Sequence, residues 1–246
     1  MLETVVACLI AYLVGSIPSG YLIVRALRGI DVRDYGSNNV GAINVFRVGG
    51  RWLGIATLVA DVGKALGVVV VAGVLGLGPW VVCVAALFVM VGHALSAWFL
   101  LTEGRVSEGK SVACALGVVV GVAILRFWPW YVAVVPPGLW VAGLALPRVV
   151  AGRWWRISPV TMTAIVSVPV VVWLSGITGA PLVLSVAMAL LVLARHKNNI
   201  IRLWRGTEPR LGERHRDAAP GATPRACGRS KAPGQDAGQN GEVHAS

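Results

Sequence analysis

The chain has 246 residues, 56% of them hydrophobic and 13% charged, with a formal net charge of +11. An ordinary soluble domain is about 45–50% apolar, and here the excess falls in long runs, which excludes that class. The positive charge lies in short loops beside those runs, so anionic lipid headgroups, and no nucleic acid, are its expected partners.

A helix needs about 20 mostly apolar residues to cross a bilayer. Seven runs approach this: Leu2–Val24, Trp52–Leu75, Pro79–Leu101, Val112–Phe127, Tyr131–Leu146, Pro159–Leu174 and Pro181–Ala194. The last three are short, and six is the alternative count. The first run is not expected to be a cleaved signal peptide, because its only early charge is Glu3. Basic residues gather in alternate connections. Arg25, Arg28, Arg33, Arg47 and Arg51 follow run one, Arg105 and Lys110 follow run three, and Arg148, Arg153 and Arg156 follow run five. Arg195, Lys197, Arg202 and Arg205 follow run seven, whereas 76–78 and 175–180 carry no charge and only Arg126 is near the remaining turn. Cationic short loops stay in the cytoplasm. The expected fold is therefore an all-α integral membrane protein of about seven transmembrane helices, N-terminus outside and C-terminus cytoplasmic. Residues 1–205 form the membrane domain. Residues 206–246, rich in Gly, Pro, Ala, Arg and Ser, read as a basic disordered cytoplasmic tail.

Polar residues collect on that same side. The first loop reads Asp31-Val-Arg-Asp-Tyr-Gly-Ser-Asn-Asn-Val-Gly-Ala-Ile-Asn-Val-Phe-Arg47. Its Asn, Ser and Gly residues favour turns that leave backbone N–H groups for an anion, and Arg47 adds a guanidinium fork. A solvated connector is the plainer reading. Asp61 and Lys64 stand at i, i+3 in run two, which suits a mutual ion pair, since each alone would cost about 2.5–3.5 kcal/mol at a helix centre. His93 lies inside run three, as a packed histidine or a site residue.

Residues 104–111, Gly-Arg-Val-Ser-Glu-Gly-Lys-Ser, match the G-x-x-x-x-G-K-[ST] nucleotide pattern. They follow a membrane helix and not a strand, so no nucleotide is expected. Gly109, Lys110 and the start of the next helix still suit a phosphate. After run seven, His196 and Asn199 stand at i, i+3, where a helix would turn both toward one site. The alternative is a basic amphipathic end lying on the membrane surface. No His/carboxylate cluster suggests a metal, and no cofactor is expected. Neither H-x-x-x-x-D nor a G-x-S-x-G elbow occurs.

Taken together, these segments resemble one family, the bacterial acyl-phosphate:glycerol-3-phosphate acyltransferases of the PlsY type. The family's G-S-G-N-x-G-A-T-N-x-x-R appears as Gly36-Ser-Asn-Asn-Val-Gly-Ala-Ile-Asn-Val-Phe-Arg47. Gly15-Ser-Ile-Pro-Ser-Gly-Tyr21, Asp61-Val-Gly-Lys64, Gly92-His93, Glu108-Gly-Lys-Ser-Val-Ala-Cys114 and Arg195-His-Lys-Asn-Asn-Ile-Ile-Arg-Leu203, with Gly206-Thr-Glu208, follow in the family's order. The departures are Asn38, Ser111 and Glu108 for glycine, Ile43 and Cys114 for threonine, and Ala65 for glycine.

The resemblance implies transfer of a fatty acyl group from acyl phosphate to the sn-1 hydroxyl of glycerol 3-phosphate, the first step of phospholipid synthesis. The products are lysophosphatidic acid and phosphate, and the place is a bacterial inner membrane. Lys110, His196 and Asn199 would be catalytic. Ser37, Asn39, Gly41, Asn44, Arg47, Gly109 and Ser111 would bind the substrates, and the acyl chain would lie among the helices. The alternatives are a non-catalytic relative that binds lipid or partners, to which Glu108 and Ile43 point, and a small transporter. A transporter would place its polar residues at mid-membrane in repeated broken helices, and no internal repeat is present. Because the tail can bury no core, truncation after about residue 212 is expected to leave acyl transfer unchanged in a membrane assay; loss of activity would show that the tail takes part.

Overall fold

The computed structural model describes residues 1–104, 109–151 and 156–208, the side chains of 148–151 excepted. Among these residues the fold is entirely helical. The elements are α1 (Leu2–Ser16), α2 (Ser19–Arg28), α3 (Ala42–Gly49), α4 (Arg51–Val74), α5 (Pro79–Ala94) and α6 (Ala97–Glu103), followed by α7 (Val112–Ile124), α8 (Val135–Ala151), α9 (Ile157–Leu174), α10 (Ala180–Arg195) and α11 (Lys197–Trp204). Every apolar run is mainly helical, and the chain breaks or bends at three places that shape the site. Run one breaks at Ile17–Pro18 into α1 and α2, run three breaks at Leu95–Ser96 into α5 and α6, and α10 bends into α11 by 57°.

Five segments are long and apolar enough to cross a membrane: Leu2–Arg28, Arg51–Val74, Pro79–Glu103, Trp130–Pro147 and Ile157–Leu174. The bent pair α10–α11 makes a sixth, and α7 is a shorter apolar helix. Its 13 residues rise about 20 Å, less than the ~30 Å of a hydrocarbon core. The expected run to Phe127 is cut short because Leu125 closes the helix and Arg126 takes a left-handed conformation, φ 62°. Pro136 and Pro137 sit in the first turn of α8, where their missing N–H groups cost nothing.

Two further departures bear on the site. Part of the expected turn-rich connector is a helix, α3, which packs against α4. The described contacts also run past residue 205: Arg156 donates to the carbonyls of Gly206 and Glu208, and the Glu208 side chain is buried. These contacts need a partner across the bundle, which composition alone did not reveal. Residues 209–246, like Arg105, Glu108 and Arg153, lie outside the described residues.

α1 packs on α5, α4 on α7, and α10 on both α9 and α5. The core between them is built largely of Ala and Val, with Met90, Met188 and Trp128 as the large members. Apolar side chains such as Leu9, Leu13, Val59, Val71 and Leu190 point outward, as lipid-facing residues do. Without water to drive helices together, close backbone approach supplies much of the packing. At the α1–α5 crossing a Cβ on Gly15 would strike the Val89 carbonyl oxygen, and one on Gly92 would strike that of Tyr12. Overpacking of this kind costs about 1–3 kcal/mol. Gly92→Val is therefore expected to lower the thermal unfolding midpoint in detergent by several degrees; an unchanged midpoint would contradict the tight crossing.

Candidate active site

The breaks and bends bring four segments to one end of the bundle, around a cleft of about 520 Å³. Of the residues expected at the site, Ser37, Asn39, Gly41, Asn44 and Arg47 line it from the first loop and α3. Lys110 and Ser111 line it from the start of α7, and His196 and Asn199 from the α10–α11 bend. Gly109 lies just behind, against His93. Away from this polar end the lining becomes apolar, with Leu58, Leu116, Val119, Ile165 and Val168.

Asn44 organises the first loop. Its Oδ1 accepts from the Ser37 N–H at 2.8 Å, and its Nδ2 lies 2.8–3.1 Å from the carbonyls of Val32, Tyr35 and Asn39. The Asn39 side chain accepts from the Gly41 N–H at 2.7 Å, an Asx turn that leads straight into α3. By helix geometry the N–H groups of Ala42 and Ile43, residues that line the cleft, have no partner within α3, whereas that of Asn44 donates to the Gly41 carbonyl at 2.9 Å. Arg47 stands one turn further along α3. Asn38 and Ser111, both in place of family glycines, have positive φ of 54° and 57°. Asn tolerates this backbone well. Ser111 is held in it by a 2.8 Å hydrogen bond from its hydroxyl to the Met90 carbonyl.

His196 is buried, and its Nδ1 lies 2.7 Å from the Val192 carbonyl. A carbonyl only accepts, so Nδ1 carries the proton and Nε2 of the neutral ring is left as the acceptor. Asn199 donates to Ser158 Oγ at 2.7 Å and to Glu208 Oε1 at 2.8 Å. Ser158 also donates to Glu208 Oε1, and Arg202 donates to Glu208 Oε2 at 2.8 Å. Sequence reasoning missed this cluster. Ser158 carried no motif signal, and Glu208 appeared only as the end of a pattern.

Asp61, His93 and Cys114 place their ligand-type atoms within 4.8 Å of one another. The Lys64 ammonium, 2.9 Å from Asp61 Oδ1 and 3.0 Å from His93 Nδ1, takes the position a cation would hold.

These features define a helical integral membrane protein in which a cationic, hydrogen-bonding chamber opens onto an apolar groove. The chain belongs to the glycerol-3-phosphate acyltransferase family, whose family model matches residues 5–206. It is 38% identical over 214 residues to the glycerol-3-phosphate acyltransferase of Synechococcus sp. strain JA-2-3B'a(2-13), covering 87% of this chain and 98% of that one. A Rhizobium johnstonii relative, glycerol-3-phosphate acyltransferase 2, is 36% identical over 226 residues, covering 83% and 94%. The crystal structure of the integral membrane acyltransferase PlsY (YgiH) in its glycerol 3-phosphate form superposes with a TM-score of 0.71 at 31% identity, over 85% of this chain and 96% of that one. Its lysophosphatidic acid form gives 0.70 at 31% identity, over 84% and 94%.

Burial pushes the Glu208 carboxyl up, but the hydrogen bonds from Ser158, Arg202 and Asn199 together outweigh it and hold the group below its ordinary value of 4.5. A depressed carboxylate contributes stability that is complete above its unfolded value and is lost as pH falls through the folded one. Glu208→Gln is therefore expected to be less stable at pH 7 and to show a shallower loss of thermal stability below about pH 4.5; acid limbs identical to wild type would contradict the assignment.

Proposed function

We propose that this protein moves a fatty acyl group from acyl phosphate to the sn-1 hydroxyl of glycerol 3-phosphate, at the cytoplasmic face of a bacterial inner membrane. The observation that carries the reading is the junction within one cleft of Arg47, Lys110 and an unprotonated His196 Nε2 with an apolar groove. Acyl phosphate is a mixed anhydride with a good leaving group. Its transfer needs two anions held and one hydroxyl aimed, more than it needs a protein nucleophile.

In this scheme Arg47 and Lys110 take the glycerol phosphate, while Asn199, whose Nδ2 hydrogens go to Ser158 and Glu208, acts one step back by fixing that side of the cleft. Ser37, Asn39 and Gly41, with the first N–H groups of α3 and those of Gly109 and Ser111, cradle the acyl phosphate. Asn44 acts one step back, by fixing that loop. The hydroxyl oxygen attacks the acyl carbonyl carbon, and His196 Nε2 receives the hydroxyl proton. The C–O bond to phosphate then breaks. Lysophosphatidic acid and inorganic phosphate leave. The acyl chain occupies the groove along α7 and α9.

We read the topology as seven spans with the N-terminus outside. The segments that carry Arg25, Arg28, Arg47, Lys110, Arg195 and Lys197 then share the cytoplasmic side with the cleft. A single electrostatic donor at a transition state is worth about 10²–10³ in rate. Lys110→Ala is accordingly expected to lower phosphate release from palmitoyl phosphate and glycerol 3-phosphate at least a hundredfold while the protein remains inserted; a normal rate would overturn the cradle assignment.

A further inference from the structure

Asp61, Lys64 and His93 take no step in this scheme, yet all three are buried within membrane segments, with side chains 1%, 8% and 5% exposed. Charges in such positions are rare and expensive unless they do something specific. Lys64 Nζ donates to the Ile17 carbonyl at 2.8 Å and to His93 Nδ1 at 3.0 Å, and pairs with Asp61 Oδ1 at 2.9 Å. The ammonium thus has two hydrogen-bond acceptors and one ion-pair partner. An ammonium cannot accept, so His93 Nδ1 is the acceptor, and its ring is neutral and fixed in orientation.

The ring so fixed supports the loop that carries Lys110. A Cβ on Gly109 would run into the His93 carbonyl oxygen and sit 2.9 Å from the ring carbon Cδ2. The Gly109 carbonyl accepts from Arg195 Nε at 3.0 Å. On the other side of Lys110, the Ser111 hydroxyl is tied to the Met90 carbonyl at 2.8 Å. Both neighbours of Lys110 are therefore seated on the last turn of α5. One of those seats is held by a charged contact from α4.

We propose that Lys64, acting through His93, is a positioning residue that sets the place of the Lys110 ammonium in the anion site. Hydrophobic packing alone would fill the same space without directing the imidazole. The inference rests on the reading of Lys110 as a ligand of glycerol 3-phosphate.

The test is calorimetric titration of glycerol 3-phosphate into purified variants in detergent, with thermal unfolding as the measure of folding. Lys64→Met alone strands the Asp61 carboxylate, so the paired variant Asp61→Asn/Lys64→Met, which removes both charges, is measured beside it. His93→Leu removes the acceptor, and His93→Asn restores one near Nδ1. The folded paired variant and His93→Leu are expected to bind glycerol 3-phosphate at least tenfold more weakly, with His93→Asn recovering most of the loss. Adding Lys110→Ala to the paired variant is expected to weaken binding no further than Lys110→Ala alone, because both act through one group. Wild-type affinity in the folded paired variant, or losses that add to that of Lys110→Ala, would overturn the proposal. If Lys110→Ala itself binds normally, the reading of the anion site fails first, and the two failures are told apart.

Discussion

A helix may break inside a membrane protein only where its freed backbone groups find new partners, and this requirement organises the whole site. The breaks after α1 and after α5 lie side by side. Ser96 Oγ donates to the Ser16 carbonyl at 2.5 Å, and the Ala97 N–H donates to Ser16 Oγ at 3.1 Å. Lys64 satisfies the Ile17 carbonyl. One serine clasp and one ammonium therefore close both breaks. The Gly15 and Gly92 crossing brings α1 and α5 close enough for the clasp to form. Because the chain is released from the helical path at these points, α2 and α6 turn aside and the polar loops reach the end of the bundle.

A second set of contacts ties those loops together. Arg33 pairs with Asp31 and, at 2.7 Å, with Glu103 at the end of α6. Its guanidinium also lies over the Phe99 ring at 4.2 Å and the Tyr21 ring at 5.0 Å. The first loop is thus fastened to the helix that leads toward Lys110. On the far side of the cleft, Glu208 gathers Ser158, Asn199 and Arg202, and so fixes α11 against α9. The cations that face the cleft are held by rigid neighbours on both sides, which suits a reaction dependent on positioning more than on a reactive side chain.

The broad outline, a helical membrane protein of this family, was legible in the sequence because it depends on sums: length of apolar run and ordered short motifs. The breaks were less legible. Pro18 marks the first, but no proline or glycine stands at the second, Leu95–Ser96. The helix over 42–49 was hidden because Gly, Asn and Ser favour turns, and its eight residues gain their stability by packing on α4. Asn44 was read as a substrate contact from its place in a motif, whereas its hydrogen bonds organise the loop. The Ser158–Asn199–Glu208 cluster joins residues 41 and 9 positions apart, and no local pattern reports such a contact.

In the proposed scheme the chamber takes both anions at once, and none of the described residues that line it is assigned as a nucleophile. Transfer should then be direct, within a complex of both substrates. The measurement that tests this is the initial rate of phosphate release by purified protein, with palmitoyl phosphate and glycerol 3-phosphate varied against each other. Direct transfer predicts intersecting double-reciprocal lines and no phosphate release from palmitoyl phosphate alone. Parallel lines, with a burst of phosphate in the absence of glycerol 3-phosphate, would show a covalent acyl-protein and contradict the account.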